Sequence, residues 1–440
     1  MTSEHRSFDD NQAVWLDGAT PAVTAPPLAA DLTTDVAIIG GGFTGVSTAF
    51  QMSARFPSLG IVLLEAKALA NGASGRNGGL MLNGISPGAR DPQVIMREHA
   101  LTRAAADAIE ALIRDHGLAV RYRRDGCLKV STTTRAAEAA HAEAEQLAAL
   151  GLPLRYLRTD QLGGVLRARG AAGAVLDATE GLLNGVDLIR AMRPLIVARG
   201  VRIFESTRVT AVREGKTIEL STPGGTVRAQ TIVLATNGYT PRLGYFTTGI
   251  LPVISHVIAS DPLPPDVVAR GFGTAAGFSD DLPRLAYAGV DPDGRLIFGG
   301  GSNAAYGYQF GNATAARPGD AAARAVQRSL TTYFPDLAGV ELRHRWSGPL
   351  GLTLSRHCAM GVRGAHKNVY YALGYSGHGV VLANLAGRVL TDLYAGNHDP
   401  WRDHVFYMNH PRGIPPEPLR WLGYHAYTRV TGRSPFRRRT

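Results

Sequence analysis

An α/β fold is predicted, α+β overall: a parallel-sheet domain assembled from discontinuous segments, and a second domain with a mixed or antiparallel sheet and helices. Three observations carry this. A short β-branched run at residues 35–39 leads directly into Gly40-Gly41-Gly42-Phe43-Thr44-Gly45. A second apolar run, residues 60–64, ends in an acid, Glu65, twenty residues past Gly45. Glycine-rich turns then recur far downstream, at Thr236-Asn237-Gly238 and at Gly374-Tyr375-Ser376-Gly377-His378-Gly379.

Residues 35–39 are apolar without alternation, as in a parallel strand buried on both faces. Gly40 supplies the tight turn that follows. Gly42 lets the backbone approach a pyrophosphate, and Gly45 lets the next helix pack closely on the strand. That helix opens at Phe43 and Thr44 and runs to about residue 54. Its N-terminus offers free N–H groups and partial positive charge to phosphates. Glu65, with Ala66 beside it, ends the second strand where a carboxylate takes both hydroxyls of an adenosine ribose. A 2′-phosphate would be repelled there, which disfavours NADP.

This motif suits FAD and NAD alike, and the next segment favours FAD. An NAD domain would normally continue into another helix and strand. Here a small-residue loop follows, with Ser74, Arg76, Asn77, Gly78 and Gly79 in it. Such a loop lets backbone N–H groups come close to a planar ring and its ribityl chain.

Taken jointly, these motifs resemble the FAD-dependent D-amino-acid oxidase superfamily, which includes the glycine and sarcosine oxidases. They are most like the gamma-glutamylputrescine oxidase-like amine oxidases. The matching residues are Trp15-Leu16-Asp17, residues 36–45, residues 72–79, and Trp346-Ser347-Gly348-Pro349-Leu350-Gly351-Leu352-Thr353, closing at Gly361. The resemblance spans about residues 15–393. It implies that Val209 passes near the adenine. It implies that Thr236, Asn237, Gly238, Gly348, Gly374, Tyr375, Gly377, His378, Gly379 and Val380 lie at the cofactor.

The motif spacing assigns 30–84, 183–240 and 346–400 to a Rossmann-like FAD-binding domain. It assigns 86–182 and 241–345 to a substrate domain, and 401–440 to a basic C-terminal extension. Within these, helices are expected at 98–116, 136–150 and 189–200, the last ended by Gly200. Strands are expected at 201–204, 231–235, 250–260 and 295–299, with a hairpin of 217–220 and 226–229 around Gly224-Gly225. Residues 20–31 read as an extended lead-in.

Composition narrows the class. A chain of 440 residues, 45% hydrophobic, can bury a large core in two domains. No apolar run approaches the roughly 18 residues of a membrane span. Residues 1–10 are polar, so no secretory signal is expected. The two cysteines, Cys127 and Cys358, make neither a disulfide framework nor a zinc site. A cytoplasmic protein with no metal and no nucleic-acid partner is expected; the sequence leaves its oligomeric state unknown. Of the net charge of +10, over half falls in 401–440, which holds eight arginines against Asp403 and Glu417. Docking on an acidic partner or membrane surface is one reading. A helical extension with a frayed end is the favoured one.

Flavin oxidation of an amine removes a hydride from the carbon next to nitrogen. It requires positioning and water exclusion, with no obligatory protein acid or base. The candidate catalytic residues are therefore polar groups that could face the ring. His378 precedes an apolar helix whose N-terminus would stabilise the anionic edge of reduced flavin; a turn-capping histidine is the alternative. His256 falls on a substrate-domain strand and is equally readable as a core histidine. Tyr287, Asn77 and Tyr375 are further pocket candidates.

Departures from related families bear on the substrate. Leu350 stands where a glycine-oxidase pattern would carry arginine, and Tyr287-Ala288-Gly289 where related members often do. A carboxylate buried without a cation is costly, so the sequence leans toward an amine, or an amino acid held by some other group, over a simple α-amino acid. Leu350 also occupies the place of the flavin-linked cysteine of sarcosine oxidases, so non-covalent FAD is expected. Ile297 falls where those enzymes carry a lysine. The leading expectation is an amine or amino-acid oxidase that reduces oxygen to hydrogen peroxide. The alternatives are a flavin dehydrogenase feeding a quinone or carrier protein, and a non-catalytic FAD-binding protein.

Overall fold

The computed structural model describes residues 11–86 and 89–431. The 1–10 segment, Arg433, Arg437, Arg438 and Arg439 lie outside them.

Two large sheets dominate. The first has eight strands. Its parallel centre runs Val369–Leu373, Gly225–Leu234, Leu32–Ile39, Ile61–Leu64, Arg202–Phe204. Val36, Ala37, Ile38, Val62, Leu63, Ile232 and Val233 are fully buried. That explains the unbroken apolar runs, since helices cover one face and further strands the other. Each buried Val, Ile or Leu contributes about 1.5–3 kcal/mol.

The second strand of the expected hairpin and the expected 231–235 strand form one continuous strand, Gly225–Leu234. Its first half pairs antiparallel with Ile218–Thr222 and its second half parallel with Val369–Leu373. The partner changes midway and the strand does not end. The helix Phe43–Arg55 packs on Gly379–Tyr394. Gly387 makes the approach possible, because a Cβ there would enter Ser47, and Ser47 donates to the Asn384 carbonyl at 2.6 Å. The expected 189–200 helix starts earlier, at Gly185, because Asn184 accepts from the Val186 and Asp187 N–H groups.

The second sheet has nine strands. It joins Cys127–Ser131, Leu154–Arg158 and Gly173–Asp177 to Leu251–Pro262, Gly277–Asp280, Ala286–Val290, Arg295–Gly300 and Tyr306–Gly307. All pairs are antiparallel except Gly277–Asp280 with Cys127–Ser131. His344–Leu352 is the ninth strand, paired along its whole length with Leu251–Pro262. Residue 346 is therefore mid-strand in this sheet and marks no transition to the first one. The helices Pro92–Asp115 and Thr134–Ala149 begin at side-chain caps from Asp91 and Thr133.

The C-terminal segment contains a helix, Leu419–Thr431. It docks on the second sheet's side: Arg420 donates to the Thr247 carbonyl at 2.6 Å, and Asn303 donates to the Thr428 carbonyl at 3.0 Å. No helix among the described residues is long and apolar enough to cross a membrane.

Candidate active site

A cavity of about 580 Å³ opens between the two sheets. Its first wall is the glycine turn. Gly40 has φ +110°, and a Cβ there would lie 2.9 Å from the Ala235 carbonyl oxygen. A Cβ on Gly42 would lie 2.7 Å from Ser74 Oγ, which itself accepts the Phe43 N–H at 2.9 Å. Gly45 lies behind the cavity, where a Cβ would enter the Gly40 carbonyl.

Glu65 lines the cavity between two backbone donors. Its Oε2 accepts from Gly41 N at 2.7 Å and its Oε1 from Lys67 N at 2.9 Å. Burial still pushes its carboxyl above the usual range, against the pull of those N–H groups. Ala66 and Val209 share this end of the cavity wall with it.

The loop at 74–79 is held rigidly. Asn77 donates to the Ser74 carbonyl at 2.9 Å and accepts from Gly79 N at 2.8 Å. Two buried tryptophans clamp it, Trp15 donating to the Asn77 carbonyl at 2.8 Å and Trp346 to the Arg76 carbonyl at 3.0 Å. The two tryptophan-bearing motifs, more than three hundred residues apart in sequence, thus serve one loop. Gly348 completes the packing, its Cβ position 2.9 Å from Arg76 Cβ.

The third wall joins the downstream turns. Asn237, at φ +40°, accepts the Gly374 N–H at 2.9 Å, so Thr236, Asn237 and Gly238 are locked to the Gly374–Gly377 turn. Tyr375 reaches Thr44, the two hydroxyls 2.6 Å apart. Gly377, Gly379 and Val380 line the cavity, and Gly374 supports it from behind.

On the second sheet, Tyr287 lies against Gly78, where a Cβ would come within 2.6 Å of its ring. Its hydroxyl is 3.0 Å from Ser255 Oγ. Burial pushes the phenol up to about 12, so it stays protonated at neutral pH.

Both histidine candidates fall off the cavity lining. Strand alternation turns Val253 and Ser255 to the cavity and leaves His256 on the opposite face, where burial lowers its pKa. His378 sits at the N-cap of Gly379–Tyr394, its N–H donating to the Tyr375 carbonyl at 2.9 Å. Burial, with the Arg356 and Lys129 charges, holds its imidazole down at about 4, so it is neutral at physiological pH.

The cavity also contains cations that the motifs do not mark. Besides Arg76 of the 74–79 loop, Lys67, Arg208, Arg242, Arg284 and Arg356 line it, against Glu65 as its one acid among the described residues. The lean away from a simple α-amino acid rests on Leu350 and on Tyr287-Ala288-Gly289, where related enzymes carry arginine. Leu350 does line the cavity, but Arg284 and Arg356 line it too. Arg356 lies three residues past Thr353, so the end of that motif was a usable signal. Arg284, Tyr306 and Tyr424 carry no such mark.

A glycine-turn parallel sheet with an acid-ended second strand, facing a chamber walled by a second sheet, defines a dinucleotide-binding oxidoreductase. The chain belongs to the DAO family of FAD-dependent oxidoreductases, whose model matches residues 35–393, and FAD is its cofactor. The residues present fit that group: Gly40 and Gly42 leave no room for a Cβ beside the turn, and a buried acid stands at the expected ribose position. The chain is 30% identical over 381 residues to gamma-glutamylputrescine oxidoreductase of Escherichia coli, covering 83% of this chain and 84% of that one. Its fold is similar to that of glycine oxidase from Geobacillus kaustophilus, with a TM-score of 0.74 and 21% identity over 87% of this chain and all of that one. It is also similar to L-proline dehydrogenase from P. horikoshii, with a TM-score of 0.70 and 18% identity over 92% of this chain and all of that one.

Proposed function

We propose that this chain oxidises a C–N bond of an amine or amino acid, with oxygen reduced to hydrogen peroxide. The observation that carries the reading is the shared cavity: Glu65 and the glycine turn, the Asn77–Gly79 loop, and Tyr287 with its arginine neighbours all line one chamber. When bound, FAD supplies at N5 the acceptor for a hydride from the carbon next to nitrogen. The substrate amine, once its proton is lost, leaves as an imine that water hydrolyses to a carbonyl compound. The protein's contribution is to hold and enclose. Tyr287, fixed by Ser255 and pressed on Gly78, forms a rigid protonated wall. Thr236, Asn237, Gly238, Gly348, Tyr375 and Val209 complete the proposed cofactor contacts.

Anaerobic addition of a suitable amine should bleach the flavin, and readmitted air should yield hydrogen peroxide. Bleaching without peroxide would favour a dehydrogenase, and no bleaching by any amine or amino acid would overturn the reading.

FAD is proposed to be held non-covalently. Cys127 and Cys358 are both buried off the cavity, and burial pushes both thiols up. Acid or heat should therefore release FAD into the supernatant; yellow colour retained in the precipitate would refute this.

The neutral, off-cavity His378 leaves charge stabilisation to the backbone at the Gly379–Tyr394 helix N-terminus. His378→Ala should keep FAD bound and shift the flavin midpoint by less than roughly 30 mV, the equivalent of about 1.4 kcal/mol for two electrons. A larger drop in anaerobic titration would return the role to the imidazole.

A further inference from the structure

The helix Leu419–Thr431 is apolar on two sides, and the protein covers only one of them. Its inner side is docked. Thr428 is buried and its carbonyl accepts from Asn303 at 3.0 Å, while the Tyr424 ring centre lies 5.8 Å from Arg284 Cζ. Arg420 fixes the start of the helix to the Thr247 carbonyl. A helix docked in this way normally turns polar side chains to solvent. Here the outer side carries Leu419, Leu422, Ala426 and Val430, spaced i, i+3, i+7 and i+11, which places them on one stripe. All four are exposed, Leu419 at 58%, Leu422 at 54% and Val430 at 77%. Tyr427, also exposed, borders the stripe, and the exposed Phe310 stacks on Trp421 of the same helix with ring centres 5.7 Å apart. Single exposed apolar residues such as Leu150 and Val197 are ordinary. A contiguous stripe marks a surface that something covers.

Charge says what covers it. From residue 418 onward the chain holds six arginines, at 420, 429, 433, 437, 438 and 439, and no acid. Arg429 stands exposed beside Val430, and the last four follow the helix with Phe436 among them. The occupant must be apolar where it meets the stripe and anionic where it meets the arginines. A second copy of the helix would set this basic segment against its own like charge. An acidic protein face would pair the arginines and leave the leucines against polar groups. A bilayer with anionic headgroups satisfies both requirements at once.

We propose that the outer face of Leu419–Thr431 seats on an anionic lipid surface. The helix lies in the plane of the interface, with Leu419, Leu422, Ala426 and Val430 at the boundary of headgroup and acyl chain and the arginine charge toward the phosphates. The inner face stays on the protein, so the contact is peripheral and reversible. Tyr424, on that inner face, lines the cavity, so the chamber wall stands one helix away from the lipid. The inference is independent of the reaction proposed above.

The test is co-sedimentation of the FAD-loaded full chain with phosphatidylcholine vesicles, with and without about 30% phosphatidylglycerol, at about 0.1 M salt. Binding to the anionic vesicles should be at least about tenfold tighter than to the neutral ones, and about 0.5 M salt should release most of the protein. Leu422→Glu combined with Val430→Glu should weaken anionic binding about tenfold or more. FAD content and melting temperature should hold, because both side chains already face solvent. A second variant, Arg433→Gln with Arg437→Gln, Arg438→Gln and Arg439→Gln, lies outside the helix and should also weaken binding about tenfold or more with the stripe intact. No binding to anionic vesicles, equal binding to both kinds, or full binding by either variant overturns the proposal. So does a lipid-free dimer in sedimentation velocity that the double glutamate variant dissociates, since a second copy would then cover the stripe.

Discussion

Glu65→Ala is expected to weaken FAD binding by about a hundredfold or more. The loss combines two hydrogen bonds from the ribose hydroxyls to a carboxylate, each contributing roughly 1.5–3 kcal/mol. The variant also removes the acceptor of the Gly41 and Lys67 N–H groups, which loosens the turn. Fold and binding should separate here. Burial raises the Glu65 pKa, so its ionisation is penalised in the apoprotein. Its stabilising contribution is present below the unfolded carboxylate range and lost as pH rises through the raised value. At neutral pH the ionised group is a cost to the empty site, which the variant relieves while losing the two N–H bonds. Apoprotein melting temperature should thus shift little while the FAD dissociation constant rises steeply. Fluorescence titration of the apoprotein with FAD checks this; equal affinity in variant and wild type would show that Glu65 does not meet the ribose.

Gly45→Ala should damage fold and cofactor together. A Cβ at residue 45 enters the Gly40 carbonyl, a backbone atom that cannot swing aside as a flexible side chain would. The helix Phe43–Arg55 must then move off the strand that carries the glycine turn. Overpacking of this kind costs about 1–3 kcal/mol, and the shifted helix end no longer faces the pyrophosphate site. The purified variant should be colourless and melt below wild type. A yellow Gly45→Ala protein with unchanged melting would mean that the helix does not rest on Gly40.

These two positions were readable because their requirements are local. A glycine at positive φ, an acid at a strand end and a small-residue loop each state their backbone need in adjacent residues. In the structure Gly40 takes a positive φ, Gly45 packs against the Gly40 carbonyl, and Glu65 and the 74–79 loop line one cavity. The start of the Gly185–Ala198 helix was also marked, by Asn184, but periodicity alone sets the helix later. The strand Gly225–Leu234 was divided because its composition changes where its partner changes.

Chemistry assembled across distance was not readable. His256 looked available until pairing with His344–Leu352 and the cavity position of Ser255 set which face it shows. His378 stands in a glycine turn that reads as flavin-facing, yet its backbone side of the turn meets the cavity and its ring does not. Arg284 and Tyr424 are 140 residues apart in sequence and meet only because the C-terminal helix docks through Arg420 and Thr428. The nucleotide turn, its acid and the FAD-type loop are thus written in short stretches of the chain, where sterics and hydrogen bonding act between neighbours. The substrate-facing wall arises from strand register and helix docking, where many small packing contributions between distant segments choose which side chains meet.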